Sequence, residues 1–226
     1  MAGKVPAAPK EQATSDPEVR IDDWREFAPL ALPPILVAAL DNFREHGYHG
    51  TSVRDVARQA EVSLPMIYYR YGNKQGLLVA LLESAMGEVL RRARLADTEA
   101  EGRVLDRFAQ VVECIVLHMT HRAATAALDA ELRYLEPENR KKYAALRKEL
   151  EQLLLETVEE GVTQGLFEVD RAPDTTRALL GMCQAVSGWY RMDGSLTPED
   201  IADRYVAIAL RTVGARVRPV PRVRAK

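Results

Sequence analysis

From Pro33 to Gly214 the apolar residues recur at three- and four-residue spacing, and no run of alternating apolar and polar residues is long enough for a strand. This periodicity predicts an all-α chain of about nine helices. At 226 residues, 47% of them apolar, the chain can bury a sizeable core. Its longest apolar stretch, Pro29 to Leu40, is interrupted by Pro33-Pro34 and is too short to cross a bilayer, so no membrane association is expected. The first 28 residues lack the apolar segment of a secretion signal. Only Cys114 and Cys183 are present, which excludes a disulfide framework and a four-cysteine zinc site, and the expected compartment is the cytoplasm.

Local signals place the helices. The first is expected over 33–45, with Ile35, Leu36, Ala39, Leu40 and Phe43 on one face and Gly47 as its stop. Thr51 and Ser52 start a second, where Asp55 can complete a capping box with Ser52. A turn at Ala60-Glu61-Val62 leads to Ser63, the expected cap of a third helix reaching Tyr71, and Pro65 falls in its first turn, where a missing N–H costs nothing. Gly72-Asn73 breaks that helix, and Asn73 caps a fourth to about Leu95. Longer amphipathic helices follow at 103–120, 123–135, 138–165, 173–191 and 197–214. The domains are therefore drawn as a disordered arm at 1–28, a three-helix unit at 29–75, a larger helical unit at 76–214 and a basic disordered tail at 215–226. The arm has Lys4, Lys10, Arg20 and Arg25 against six acids, too little Arg to read a minor groove.

The net charge of −2 excludes a protein that coats nucleic acid by bulk charge. Residues 44–74 reverse that sign, with Arg44, Arg54, Arg58, Arg70 and Lys74 against three acids. Three short helices, the last two joined by a tight turn, make a helix-turn-helix pattern. On the third, Ile67 and Tyr71 face inward, which leaves Leu64, Pro65, Met66, Tyr68, Tyr69 and Arg70 outside. Tyrosine hydroxyls, Arg and Lys donate to phosphate oxygens. The N–H groups at a helix start accept a phosphate, and Leu64, Pro65 and Met66 suit thymine methyls in a major groove.

The run Ile35-Leu36-x-Ala38-Ala39-Leu40, Phe43-x-x-x-Gly47-Tyr48-x-x-Thr51-Ser52-Val53-x-x-Val56-Ala57, Val62-Ser63 and Ile67-Tyr68-Tyr69-x-Tyr71-x-x-Lys74-x-x-Leu77-Leu78 resembles the DNA-binding domain of TetR-type transcriptional regulators. The resemblance implies that Thr51, Ser52 and Arg54 grip phosphates and that Ser63, Leu64, Pro65 and Met66 face the bases. It also implies that Tyr68, Tyr69, Arg70 and Lys74 clamp the backbone. Two departures stand out. Glu61 occupies a turn position where the family often has Gly, which costs about 1 kcal/mol if φ is positive there. Pro65 and Met66 replace Gly and a small hydroxyl residue, leaving fewer hydrogen bonds to read an operator.

The family resemblance further implies a larger helical ligand-binding and dimerisation domain. It implies a homodimer on a palindromic double-stranded DNA operator, released when a small molecule binds, with no catalytic residues, cofactor or metal. The broad apolar faces of 173–191 and 197–213 suit the dimer interface. Ser187 to Thr197 is similar to regulators of fatty-acid, sterol and phenylacetate breakdown, which respond to acyl-CoA thioesters. An acyl-CoA sensor needs an apolar tunnel, for which Phe108, Val112, Met119, Met182, Trp189 and Tyr190 are candidates, and cations for its phosphates, for which Arg122, Arg133 and Arg191 are candidates. Cys114, His118 and His121 share a helix flank at i, i+4, i+7 with no evident fourth ligand, and polar pocket lining is the simpler expectation for them. A hydrophobic-drug effector and a helical adaptor for a protein partner are the alternatives. An enzyme is disfavoured by four His, no Gly-rich phosphate loop and no nucleophile–base motif.

Overall fold

A computed structural model describes residues 21–216, so the expectations for residues 1–20 and 217–226 lie outside the described residues. Among the described residues there are nine α-helices and no strand. The head comprises α1 (Pro34–Gly50), α2 (Val53–Gln59) and α3 (Leu64–Tyr71), and α4 (Lys74–Glu99) runs unbroken from it into the larger region. There follow α5 (Val104–His121), α6 (Ala123–Ala126), a 3-10 helix (Ala127–Tyr134), α7 (Pro137–Thr163), α8 (Ala172–Trp189) and α9 (Pro198–Thr212).

The helix α5 is the centre of the larger region, packed by α4, α7, α8 and α9. Phe108, Val111, Val112, Ile115 and Val116 are fully or almost fully buried, each contributing about 1.5–3 kcal/mol relative to exposure. In the head, Ile67, Val56, Ala39 and Phe43 join Leu77 and Leu78 of α4, so head and linker share one core. Gly47 takes φ 67° and turns the last residues of α1 aside. A side chain at Gly76 would overlap the Tyr71 carbonyl, so only glycine lets α4 start this close to α3.

Local caps agree only in part with expectation. Ser52 accepts from the Asp55 N–H and Asn73 from the Gly76 N–H. The reciprocal arm at α2 does not form, because the Asp55 carboxylate takes the Ser52 hydroxyl and Arg58 instead. A complete capping box closes at Thr197 and Asp200. Ser63 makes no side-chain cap and leaves its hydroxyl exposed. Glu61 does sit at positive φ, 54°.

Two larger differences concern the arm and the 123–135 segment. Residues 21–28, expected to be disordered, pack against α4 and α5. Trp24 is 2% exposed and donates to Glu99 at 2.6 Å. The Arg92 guanidinium donates to the carbonyls of Trp24 and Glu26 at 3.0 and 2.8 Å, and Arg122 donates to that of Ala28 at 2.9 Å. One tryptophan and two distant arginines override a composition that reads as disordered. The segment 123–135 is a single α turn followed by eight residues of 3-10 helix. Asp129 and Tyr134 are tied to other elements at either end, and the longer rise of a 3-10 helix, about 2.0 Å per residue, stretches the chain between those ties.

Candidate nucleic-acid interface and effector cavity

The third helix buries only Ile67. Met66, Tyr68 and Tyr69 are 46%, 49% and 81% exposed, and Pro65 and Arg70 are exposed beside them. Three adjacent large apolar or aromatic side chains in solvent form a patch that a monomer rarely leaves uncovered without a use. Leu64 is half-buried against the core. Ser52, Arg54 and Ser63 are exposed too, and no ion pair of Arg54 or Arg70 occurs among the described residues. Cations without protein partners, tyrosine hydroxyls and the free hydroxyl of Ser63 at a helix start can engage phosphates, while Pro65 and Met66 can meet base edges.

Thr51 and Lys74 are placed differently from the expectation. Thr51 is 3% exposed and its hydroxyl donates to the Gly47 carbonyl at 2.9 Å. The Lys74 ammonium donates to the carbonyls of Tyr48 and Thr51 at 2.6 and 2.9 Å and lies 4.5 Å from the centre of the Tyr48 ring. The Thr51 side chain closes the end of α1, and Lys74 ties that end to the start of α4. Free carbonyls at a helix end attract a cation, and spacing alone does not show that Lys74 meets one. Next to this joint, Tyr134 of the 3-10 helix stacks on Tyr48 and meets the His49 ring edge-on, with ring centres 5.5 and 4.3 Å apart.

A small, half-open cavity of about 60 Å³ lies in the larger region, with apolar walls from Leu82, Met86, Ile115, Met119, Leu150 and Leu180. One end is polar. Asp129 accepts from the Tyr143 hydroxyl at 2.6 Å and from the Gln184 amide, and Gln184 accepts from Arg147 at 3.1 Å. Burial and the adjacent Asp129 carboxylate push the Tyr143 phenol upward, so it stays a donor. His118 also lines the cavity, is 2% exposed and has no partner for Nδ1. Burial lowers its pKa to about 4, so the imidazole is neutral near pH 7. An open cleft of about 460 Å³ lies beside it, between residues 21–31 and α4, where Arg91, Arg92 and Arg122 face Asp22, Asp23 and Glu26.

Of the residues expected to form the tunnel, Met119 lines the cavity. Phe108 instead packs edge-on against Phe167 in the closed core, with Val112 equally buried. Met182 is half-buried against the core. Trp189 is 50% exposed and stacks on Tyr205, and Tyr190 donates to the Leu196 carbonyl. Among the arginines, Arg122 is held by Glu88, Arg133 lies over Tyr134, and Arg191 pairs with Asp193. A helical stripe shows which residues turn inward, not which of them border a void. Asp129, Arg147 and Gln184 carry no joint signal in the sequence because three separate elements bring them together; a glutamine on the apolar helix α8 is the one local hint. Cys114 is in the core and His121 stacks on Phe27 at 4.4 Å.

An exposed aromatic recognition helix on a helix-turn-helix, joined by one long helix to an all-α region with a cavity, defines a ligand-responsive class of DNA-binding protein. The comparisons narrow this further. Residues 35–81 match the bacterial regulatory proteins of the tetR family, and residues 101–213 match the tetracyclin repressor-like C-terminal domain. The chain belongs to the TetR family of transcriptional regulators. It is 25% identical over 179 residues to the HTH-type transcriptional repressor KstR2 of Rhodococcus jostii, covering 78% of this chain and 87% of that one. It is 29% identical over 133 residues to the fatty acid metabolism regulator protein of Bacillus subtilis, covering 58% of this chain and 68% of that one. A tetR-family regulatory protein from Rhodococcus RHA1 superposes with a TM-score of 0.74 at 29% identity, over 81% of this chain and 97% of that one. AibR in complex with isovaleryl coenzyme A and operator DNA shares the fold, with a TM-score of 0.67 at 24% identity over 77% and 95% of the two chains. These relatives are regulators, not enzymes. No helix among the described residues is long and apolar enough to cross a membrane.

Proposed function

We propose that the protein is a homodimeric repressor that binds a palindromic operator in the cytoplasm and is released by an acyl-CoA. The observation that carries the DNA-binding part is the exposure of Met66, Tyr68 and Tyr69 on a helix whose inner face is seated in the head core. In this reading Ser63, Leu64, Pro65 and Met66 meet base edges. Ser52, Arg54, Tyr68, Tyr69 and Arg70 hold phosphates, and Thr51 and Lys74 order the turn that presents them.

Exposed surfaces on α8 and α9 support a dimer. Ala178, Gly181, Ala185 and Gly188 lie exposed on one stripe of α8, and added side chains at Gly181 and Gly188 would meet no atom within 4 Å. With Trp189, Met192 and Ile208 also exposed, two copies can bury these faces against each other.

The effector reading rests on the cavity. Its apolar walls suit an acyl group, the neutral His118 beside them suits a thioester carbonyl, and a related fold holds isovaleryl-CoA together with DNA. Asp129 at the cavity and Tyr134 at the head are five residues apart on one 3-10 helix, which offers a direct mechanical route from ligand to DNA. The test is binding to the DNA flanking the protein's own gene, followed by addition of acyl-CoAs from acetyl to palmitoyl, straight and branched. Dissociation by a subset of chain lengths is expected. No specific complex refutes the repressor reading, and a complex indifferent to every acyl-CoA refutes the effector reading.

A further inference from the structure

The cavity of about 60 Å³ is far below the roughly 300–1,000 Å³ of ordinary small-molecule sites. The cleft of about 460 Å³ lies nearby, on the other side of the Phe27 and His118 rings. Phe27 of the N-terminal segment lines the cleft, His118 lines the cavity, and their ring centres are 6.4 Å apart, within contact range for two rings. At this point two contacting side chains, Phe27 and His118, separate the two spaces.

The covering segment also occupies donors that an anion would use. Arg92 and Arg122 give N–H groups to the carbonyls of Trp24, Glu26 and Ala28, and Asp22, Asp23 and Glu26 line the cleft beside them. Arg91 lines the same cleft with its Nε buried and unpartnered. The buried His118 Nδ1 is likewise unpartnered, and His118 lines the cavity. If the segment moves away, its three carboxylates leave with it, and Arg91, Arg92 and Arg122 remain at the opened space with Glu88 as the one carboxylate left between them.

We propose that residues 21–31 form a displaceable strap over a single composite effector site, which takes an elongated ligand with an apolar acyl end and a phosphate-bearing head. The acyl end enters the cavity, with its carbonyl at His118. The head replaces the strap against Arg91, Arg92 and Arg122. The combined space of about 520 Å³ falls in the ordinary range for such sites. Because the strap runs into Pro33-Pro34 and then α1, its release also frees the first helix of the DNA-reading head. This inference rests on the acyl-CoA reading above and adds to it the entry side, the head-group contacts and the competing segment.

Trp24 supplies the test, since it is the buried anchor of the strap itself and becomes exposed if the strap leaves. In full-length Trp189→Phe it is the only tryptophan. Titration with the acyl-CoA that releases DNA should red-shift its emission over the same concentration range as release. CoA alone should give a weaker shift, and the free carboxylic acid none. Phe27→Ala should tighten acyl-CoA binding at least threefold, because the closed strap lowers the competent fraction. Arg91→Ala, which removes no hydrogen bond or ion pair found among the described residues, should weaken it at least tenfold. DNA release without a change in Trp24 emission overturns the strap while leaving the acyl-CoA reading intact, as does an Arg91→Ala affinity within twofold. Absence of binding by any acyl-CoA to wild type and to Phe27→Ala overturns both.

Discussion

Glu88→Gln tests whether the buried charges under the strap hold the molecule together. Glu88 accepts from Arg92 at 3.0 Å and from Arg122 at 2.9 Å, and all three side chains are at least about nine-tenths buried. Burial alone would raise the Glu88 pKa, but the Arg122 hydrogen bond and the surrounding positive charge hold it below the usual value. Glutamine keeps the shape and opens no cavity. It removes the negative charge and points an N–H₂ group at two guanidiniums, which already donate to Trp24, Glu26 and Ala28. Removing one member of a buried charge cluster costs about 3–5 kcal/mol, a large share of a typical total stability of about 5–15 kcal/mol. For a chain of this length that corresponds to a fall in Tm of about 6–20 °C. Thermal unfolding followed by circular dichroism at pH 7 measures it, and a shift under about 2 °C would refute the assignment of a structural charge cluster. Replacing Glu88, Arg92 and Arg122 together by Met, Leu and Leu should recover only part of the loss. The strap carbonyls then lose their donors, so full recovery would show that those bonds add nothing.

Further predictions concern the turn, the buried histidine and the thiols. Glu61→Gly should stabilise the head by about 0.5–1 kcal/mol by relieving a positive φ, read as a higher denaturant midpoint with unchanged m. His118 protonates near pH 4 when folded and near 6.5 when unfolded, so the unfolded chain binds its proton first as pH falls. Stability should decline from pH 6.5 to 4, and the decline should be shallower in His118→Asn; an equal slope in both proteins contradicts the assignment. Glu88, held below its usual 4.5, acts in a lower window and leaves that comparison clear. Burial pushes the thiol of Cys183 up to about 12 and that of Cys114 higher, so neither should react with a disulfide reagent until the protein unfolds.

The head was legible in the sequence because its signals are local. Ser52, Asn73 and Pro65 act within one turn of themselves, and Ile67 is separated from Met66 and Tyr69 by helical geometry alone. The positive φ at Glu61 followed from a single turn position. The effector site was harder to read, because α5 is packed on several sides and periodicity cannot distinguish core at Phe108 from cavity wall at Met119. The strap was hidden for a similar reason. Trp24 sits in a polar segment, and the residues that hold Trp24 and Ala28, namely Arg92, Glu99 and Arg122, lie 68 to 94 positions along the chain, so that folding alone brings them together. Lys74 illustrates the same limit at the head, where a cation suited to phosphate is taken up by two carbonyls of its own chain.

The central claim is that α3 and the start of α2 form a DNA-reading surface. The most direct measurement is the affinity for DNA flanking the protein's own gene as salt is raised from about 50 to 200 mM. Arg54 and Arg70 in each half of a dimer would neutralise four phosphates, so log K should fall against log salt with a slope of roughly −4. Arg54→Ala should flatten that slope by about half, since it removes one contact from each half. Specific binding that ignores salt, or no specific complex at about 50 mM, would contradict the account.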